Sequence, residues 1–485
     1  MHQNYQAYRD LGVIGDAGCG FPIRSIHTKW KQIFLYPTCR LWHGFRMNKR
    51  PVDFNILEFG AVGDGRTLNT QAIQRAIDAC ADAGGGNVVF SGGIYRTGTL
   101  VLRSHTVLDL RPGAVLEGSP DICDYPAGHG RNMYRGEPEM DRCLIYAADV
   151  ENIGVIGSGK INGNGSRDIF PNPDDPGHHR PMLIRFVNCR GIRMRDVTLC
   201  DPAGWTSAWL YCDDIVVDGI TIHSRANGNG DGLDFDGCRN VRVSNCSFDT
   251  SDDCICLQTS RPDRPCRDVT VSNCTFCSRW AGIRIGLLSR GDFENVTVTN
   301  CTFRDITDAG LKIQMCEGAV MQNMIFSNLV MQRVPRPLFM TLGRQRCCVD
   351  APEELPPAGK LRRLHFCRML IDNSETGTDS HLVIAGLPEC MVEDITISDI
   401  SMVTCGGATD KDAEESGVPE LSPDNLDGHW PEYYCFKRIL PAAGLYARHI
   451  RGLVVRNLDL KTVLPDPRKL VVLDDVILRE GGGHE

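Results

Sequence analysis

The sequence lacks long apolar runs and any concentrated basic stretch. No run of about 18 apolar residues occurs among its 485 residues, so we expect no membrane-spanning helix and no membrane partner. Asp and Glu outnumber Lys and Arg by 61 to 52, for a net charge of −9. Because phosphate binding needs a concentrated basic surface, we also expect no nucleic-acid partner.

The amino-terminal segment lacks the basic, apolar and small-residue order of a secretory signal. Met47 directly precedes the first organised stretch, "RMNKRPVDFNILEFGAVGDG". We therefore interpret residues 1–50 as a leader, either disordered or artefactual, and residues 51–480 as a single catalytic domain. The missing signal favours a cytoplasmic protein.

The 23 cysteines lack the spacing of a disulfide framework or a zinc site. They recur within strand-like runs, and neither Cys347-Cys348 nor the Cys254–Cys256 pair has zinc spacing. We expect reduced thiols packed in a core, and no metal.

A repeat of the form N-V-x-V-x-N-C-x-F organises the middle of the chain. It occurs as "RNVRVSNCSF" from residue 239, "RDVTVSNCTF" from 267 and "ENVTVTNCTF" from 294, with looser copies from 190 and 213. The starts are 23 to 28 residues apart, which is typical of a solenoid. Alternating apolar and polar residues indicate strands with one buried face. The sequence therefore predicts an all-β fold, a parallel β-solenoid.

Equivalent turns of the repeat contain asparagine followed by cysteine. We expect the asparagines to form a stacked ladder of amides bonded to backbone, and the cysteines to be small buried fillers. The pairs are Asn245 and Cys246, Asn273 and Cys274, and Asn300 and Cys301.

Two segments depart from the repeat. Residues 69–84 carry apolar side chains at helical spacing and end at Gly84, which predicts a short amino-terminal helix that caps the open end of the solenoid. Residues 405–436 are rich in acids, Pro and Gly and end in aromatics. We interpret them as a long loop that forms a wall over a site, with a disordered loop or an aromatic anchor as alternatives.

The stretch "GNGDGLDFDGCRNVRVSNCSFDTSDDC", residues 228–254, is dense in aspartate. Asp231 and Asp252 are 21 residues apart, close to one coil, so a parallel solenoid places them on adjacent strands roughly 5 Å apart. Asp253 follows directly. Three close carboxylates raise the pKa of at least one, and a protonated acid beside ionised carboxylates suits cleavage of a glycosidic bond.

Two other interpretations of the acids stay open at this point. Acid clusters bind calcium, and acids at repeated turns cap backbone amides. For Asp234 and Asp236 the structural interpretation is preferred, with Asp234 supporting its neighbours.

These residues resemble those of the polygalacturonase family, glycoside hydrolase family 28, within the pectin lyase-like superfamily. "NGDGLD" from Asn229 is similar to the family's Asn-Thr-Asp-Gly-x-Asp, and "DDCI" from Asp252 to its Asp-Asp-Cys-Ile-Ala. "FGAVGDGRTLNTQAIQRAID" and "GWTSAW" resemble its amino-terminal segment and the strand before its catalytic coils. The resemblance runs from about 55 to 315 and more weakly to 480. It implies a right-handed parallel β-helix.

The resemblance also implies roles for the three aspartates. Asp252 is expected to be the general acid, and Asp231 with Asp253 to activate water. The family inverts configuration, which calls for a gap of about 6.5–9.5 Å between acid and base. No cofactor is implied, and the expected partner is an oligosaccharide or polysaccharide substrate.

Two departures from the family pattern concern substrate binding. Trp280-Ala-Gly stands where the family has Gly-His-Gly, and Lys312-Ile-Gln314 stands where it has the uronate-binding Arg-Ile-Lys. Lysine is a point charge and lacks the bidentate fork of arginine. Either Arg284 substitutes for the lost cation or the sugar is not a galacturonate. We expect substrate contacts from Asn229, Trp280, Arg284, Lys312 and Gln314.

The sequence thus predicts an inverting hydrolase of pectin-derived or related plant oligosaccharides. The loop at 405–436 and the run "VPRPLFMT" favour a closed pocket and action on chain ends. The alternatives are a calcium-dependent polysaccharide lyase, with Arg284 or Lys312 as the base, and a carbohydrate-binding solenoid without activity.

Overall fold

The alternation of apolar and polar residues produces short strands that stack along one axis. The computed structural model describes residues 52–137, 140–171, 179–426 and 430–479, and the predicted leader at 1–50 lies outside them. Over the described ranges the chain forms a right-handed parallel β-helix, as the sequence predicts.

The strands, in chain order, have the following bounds: β1 Asp53–Asn55, β2 Asp64–Leu68, β3 Gly86–Phe90, β4 Gly93–Thr97, β5 Leu100–Val101, β6 Thr106–Leu110, β7 Ala114–Gly118, β8 Cys143–Ala148, β9 Gly154–Ile156, β10 Lys160–Asn162, β11 Met182–Val187, β12 Arg190–Arg195, β13 Thr198–Cys200, β14 Ser207–Leu210, β15 Asp213–Asp218, β16 Thr221–Ser224, β17 Leu233–Asp236, β18 Arg239–Ser244, β19 Ser247–Thr250, β20 Ile255–Thr259, β21 Cys266–Ser272, β22 Thr275–Ser278, β23 Ala281–Ser289, β24 Phe293–Ile306, β25 Ala309–Met315, β26 Val320–Gln332, β27 Arg336–Leu342, β28 Lys360–Asn373, β29 Leu382–Ala385, β30 Val392–Thr404, β31 Ala442–Thr462 and β32 Lys469–Leu478. The α-helices are α1 Thr70–Asp82 and α2 Pro423–Leu426, and the 3-10 turns are Ile56–Phe59, Ile122–Asp124 and Tyr433–Phe436.

Each coil contributes one strand to each of three parallel ladders. The first ladder includes β15, β18 and β21, the second includes β16, β19 and β22, and the third includes β14, β17, β20, β23, β25, β27 and β29. From β24 onward one long strand runs through both the first and the second ladder. Inward-facing side chains of all three ladders fill one continuous apolar core. The third ladder positions the site described below.

The asparagine turns stack as expected, but their amides bond differently from the prediction. The Asn273 amide donates to Asn245 Oδ1 at 3.3 Å, and the Asn328 amide donates to Asn300 Oδ1 at 3.1 Å. The bonds therefore join side chains of successive coils and do not run to backbone. Asn245 has a φ of 58°, a left-handed conformation that asparagine tolerates well.

The cysteines beside this ladder are buried, free thiols, as predicted. Cys246 Sγ lies 3.0 Å from Ser244 O and Cys274 Sγ lies 3.2 Å from Ser272 O, so each thiol has a carbonyl partner two residues earlier. Every cysteine within the described ranges is free.

Helix α1 lies where the sequence predicts a helix, and it begins and ends within two residues of the expected bounds. Its buried side chains include Ile73, Ala76, Ile77 and Cys80. It packs on β1 and β3, which belong to the first two coils, so it covers apolar surface that the end of the solenoid would otherwise expose. In the described part of the chain, no helix is both long and apolar enough to cross a membrane.

Candidate active site

The register of the third ladder brings the aspartates of two coils together. Leu233 of β17 pairs with Ile255 of β20, so Asp231 and Asp253, each two residues earlier, are neighbours across the ladder. Asp252 precedes Asp253. One carboxylate oxygen from each of the three residues lies within 4.8 Å of the others.

Glycines on either side of Asp231 permit this close approach of the coils. A Cβ at Gly230 would lie 2.3 Å from Ser224 O, and one at Gly232 would lie 2.2 Å from Cys254 O. Both distances are too short for real atoms. The Gly-Asp-Gly sequence is therefore required for Asp231 to reach the cluster.

The three aspartates line a cavity of about 180 Å³. Two further carboxylates line it, Glu137 and Glu432, together with Asn229 and Arg284. Its aromatic walls are Tyr134, Trp205, Trp280 and Trp430. A cavity that combines aromatic rings with converging carboxylates is suited to a sugar, which stacks on rings and hydrogen-bonds through hydroxyls.

Burial and mutual repulsion raise the pKa values of the cluster. Burial, and then repulsion from Asp253, raises the pKa of Asp252 to about 7. Burial, and then the charge of Asp252, raises the pKa of Asp231 well above its usual range. The protons belong to the cluster as a whole because the sites interact strongly. At neutral pH the cluster therefore holds a proton that it can donate.

Asp253 is the member that the surroundings favour as a carboxylate. Burial raises its pKa, but the Arg284 guanidinium beside it acts in the opposite direction. Arg284 Nη1 donates to Asp253 Oδ2 at 3.1 Å. The site thus places Asp252, whose pKa is raised to about 7, next to Asp253, which a cation favours as the carboxylate.

The predicted substrate-binding residues fall into two groups. Asn229, Trp280 and Arg284 line the cavity, whereas Lys312 and Gln314 are fully buried and do not line it. Both of the latter lie behind Glu432: Lys312 Nζ is 2.5 Å from Glu432 Oε2, and Gln314 Nε2 donates to Pro431 O at 3.1 Å. Lys312 and Gln314 therefore lie one layer behind the cavity wall, and their contact with substrate stays a prediction.

Asn229 is held at the rim of the cavity by a buried arginine. Arg180 Nη2 donates to Asn229 Oδ1 at 2.9 Å, and Arg180 Nη1 donates to Gly228 O at 2.9 Å. Asn229 has a φ of 50°, which fixes its backbone in a turn. Arg180 therefore positions the segment that leads to Asp231.

The segment 405–436 contributes both a wall and an anchor. Trp430 and Glu432 line the cavity, and the Trp430 ring lies 5.6 Å from that of Tyr134. Tyr433 packs against His381, with ring centroids 5.4 Å apart, and its own ring lies 4.8 Å from the Arg336 guanidinium. The carboxyl-terminal end of the segment is therefore packed on the body of the solenoid.

Several residues of the site have no signal in the sequence. Glu137, Tyr134 and Glu432 reach the cavity from outside the repeat, at positions that no spacing rule connects to the aspartates. The aromatics of "HWPEYYCF" indicated the segment near Glu432, but not that this one acid turns inward.

Asp234 lies beneath the cluster with an unusual lack of partners. It is buried, and neither of its carboxylate oxygens has a hydrogen-bond partner among the described residues. Burial, and then repulsion from Asp253, raises the pKa of Asp234 well above its usual range. The surroundings of Asp234 therefore favour its protonated form.

Replacing Asp234 with asparagine is expected to stabilise the protein increasingly as pH rises. Above about pH 4 the unfolded aspartate ionises while the folded one stays protonated, so wild-type stability falls with pH and the variant escapes that loss. The difference in unfolding free energy should grow by up to ~1.4 kcal/mol for each pH unit. Urea unfolding at pH 5 and pH 7 measures it.

Asp218→Asn is the matched control, because hydrogen bonds from Ser244 and Asn245 lower the pKa of Asp218. Asp218 is ionised at pH 5 and pH 7 in both the folded and the unfolded protein, so Asp218→Asn should lose the same amount of stability at the two pH values. Parallel pH curves for Asp234→Asn and the wild type would contradict a raised pKa for Asp234.

Comparisons with known proteins find two family models that match the chain. The family model described as "Glycosyl hydrolases family 28" matches residues 130–413, and one described as "Rhamnogalacturonase A/epimerase, pectate lyase-like" matches residues 54–113. The chain is 27% identical over 344 residues to an exo-poly-alpha-D-galacturonosidase of Dickeya chrysanthemi, covering 59% of this chain and 56% of that protein. It is 30% identical over 220 residues to a probable polygalacturonase of Vitis vinifera, covering 42% of this chain and 44% of that protein. The chain thus spans about half the length of these relatives.

Solved structures agree on the fold. The family 28 exopolygalacturonase of Yersinia enterocolitica superimposes with a TM-score of 0.70 at 21% identity, covering 90% of this chain and 79% of that one. At this identity the likeness establishes the β-helix and its coil arrangement.

Proposed function

The chain belongs to the glycosyl hydrolases family 28, and on that premise we propose that it hydrolyses glycosidic bonds of pectin-derived oligosaccharides at chain ends. The observation that carries the proposal is the cluster of Asp231, Asp252 and Asp253 in one cavity, with one oxygen of each within 4.8 Å. The curated relatives named above act on galacturonans by their names, which supports a pectic substrate.

Asp252 is the proposed general acid. Its pKa of about 7 leaves it protonated under mildly acidic conditions and partly protonated at neutral pH. It can therefore protonate the glycosidic oxygen as the bond from that oxygen to the anomeric carbon breaks. Of the three aspartates it is the one that is only half-buried, which suits contact with a leaving group.

Asp253 is the proposed base, because its pairing with Arg284 favours the carboxylate. It takes a proton from the water that attacks the anomeric carbon. Asp231, whose pKa is raised more strongly, holds that water by a hydrogen bond and shares the cluster's protons. The family resemblance alone implied that Asp231 and Asp253 together activate the water.

Inversion at the anomeric carbon is part of the proposal. The acid and base carboxyl groups of inverting enzymes are typically about 6.5–9.5 Å apart. Here one oxygen of each aspartate lies within 4.8 Å of one oxygen of the other two, which is a shorter distance. The anomeric form of the first product therefore has to be measured. Action at chain ends is supported by the wall that Trp430 and Glu432 build on the cavity.

Proton NMR of the products tests the proposal. The protein is incubated with a panel of plant oligosaccharides, uronic and neutral, with and without a chelator. We expect a saturated sugar of inverted configuration, released equally with and without chelator. An unsaturated product that is no longer formed when chelator is present would establish calcium-dependent lyase chemistry at the same carboxylates. Binding without turnover would establish a carbohydrate-binding solenoid without activity. Either result overturns the hydrolase.

A further inference from the structure

Glu432 bridges two buried cations beside the proposed catalytic aspartates. Arg284 Nη2 donates to Glu432 Oε1 at 3.1 Å, and Lys312 Nζ lies 2.5 Å from Glu432 Oε2. The Glu432 side chain is 3% exposed and that of Lys312 is 0% exposed. Both oxygens of this carboxylate are thus bound to cations of the protein itself.

The other bonds of the two cations are also made within the protein. Arg284 donates to Asp253 and Gln314. Lys312 donates to Asp308 Oδ2 at 2.6 Å, and its ammonium lies 4.3 Å from the centre of the Trp280 ring. Among the described residues that line the cavity, Arg284 is the only cation. The charge of Arg284 is already paired with Asp253 and Glu432, and its one nitrogen without a hydrogen-bond partner, Nε, is buried. A substrate carboxylate that enters therefore meets no unpaired cation there.

Backbone contacts hold Glu432 in this place. The carbonyl of Pro431 accepts from Gln314 Nε2 at 3.1 Å and from Thr341 Oγ1 at 3.0 Å. These donors belong to β25 and β27, the strands that follow Arg284 along the third ladder. The ladder thus fixes the backbone next to Glu432, and the carboxylate is directed at Arg284 and Lys312.

From this arrangement we propose that Glu432 determines specificity by excluding a uronate from the position beside Asp252 and Asp253, so that the sugar bound there is neutral. The Glu432 carboxylate takes the place on Arg284 and Lys312 that a uronate carboxylate needs. A second carboxylate in the same buried space would be repelled by Glu432 and Asp253. A neutral sugar brings hydroxyls, which donate to these carboxylates. The inference rests on the proposed hydrolase function and specifies its substrate class.

The test compares kcat/KM for uronate-ended and neutral-ended oligosaccharides. Matched pairs consist of an oligouronide and the same oligosaccharide with its carboxyl groups reduced. The neutral-ended members of the panel are measured as well. The wild type should cleave its best neutral-ended substrate at least about tenfold better than its best uronate-ended one. Glu432→Gln keeps the shape and removes the charge, so this ratio should fall by at least about tenfold. Glu414→Gln, at an exposed position of the same segment, should leave the ratio unchanged.

The outcomes separate this inference from the proposed function. A wild type that prefers uronate-ended substrates, or a ratio that Glu432→Gln leaves unchanged, overturns the role of Glu432 while the hydrolase stands. Absence of turnover on the whole panel overturns both. If Glu432→Gln does not fold, as judged by its thermal unfolding, the wild-type ratio alone decides.

Discussion

Asp252→Asn is expected to lower kcat by about 10²–10⁴-fold, the range that a positioned general acid contributes. The amide cannot give a proton to the glycosidic oxygen, but it fills the same space, so KM should change little. Initial rates on the best substrate of the panel measure both constants. Asp263→Asn, at an exposed surface ion pair with Arg261, is the control and should retain full activity.

The pH profile distinguishes an acid from a residue that only shapes the cavity. Since the pKa of Asp252 is about 7, wild-type kcat/KM should fall as pH rises through 7 and the acid loses its proton. The residual activity of Asp252→Asn should lack this descending limb. A variant that keeps the limb would show that another group donates the proton, and Asp231 would be the first to examine.

Arg284→Met is expected to lower the free energy of unfolding by about 3–5 kcal/mol at pH 7, because it leaves buried carboxylates without their cation. Arg284 is 9% exposed and contacts both Asp253 and Glu432. Without it the pKa of Asp253 should rise further. A carboxyl group whose folded pKa is raised destabilises the protein more as pH rises. The loss of unfolding free energy in Arg284→Met should therefore be smaller at pH 5 than at pH 7.

Urea unfolding at pH 5 and pH 7 measures this loss. Arg304→Met is the control, since Arg304 pairs with Asp305 at the exposed surface, where such pairs contribute about 0–1 kcal/mol. A change in the free energy of unfolding below 1 kcal/mol for Arg284→Met would contradict the prediction. It would mean that packing of the methionine side chain compensates for the lost ion pairs with Asp253 and Glu432.

Much of the fold follows from local patterns in the sequence. The repeat around Asn245, Asn273 and Asn300 specifies coil length and strand period, and these two quantities leave a parallel solenoid as the packing solution. Helix α1 follows from apolar spacing in the same way. The asparagine amides show the limit of that argument, because whether they bond to backbone or to the next coil depends on how the coils align.

The catalytic candidates also follow from the sequence, since a separation of one coil length puts Asp231 next to Asp253 in any parallel solenoid. Their chemistry does not follow. The pKa of Asp252 depends on burial and on the charge of Asp253, while the carboxylate of Asp253 depends on Arg284. These are properties of the enclosed cavity, in which charges interact strongly because water is excluded.

The sequence by itself therefore determined the β-helix and the aspartate cluster, because both rest on a short-range repeat. Only the tertiary structure decided what surrounds the cluster. Glu432 lies 148 residues from Arg284 along the chain, in a segment with no periodicity, and no local pattern encodes such a contact. That segment packs on the third ladder, where Lys312 binds Glu432 and Gln314 donates to the carbonyl of Pro431.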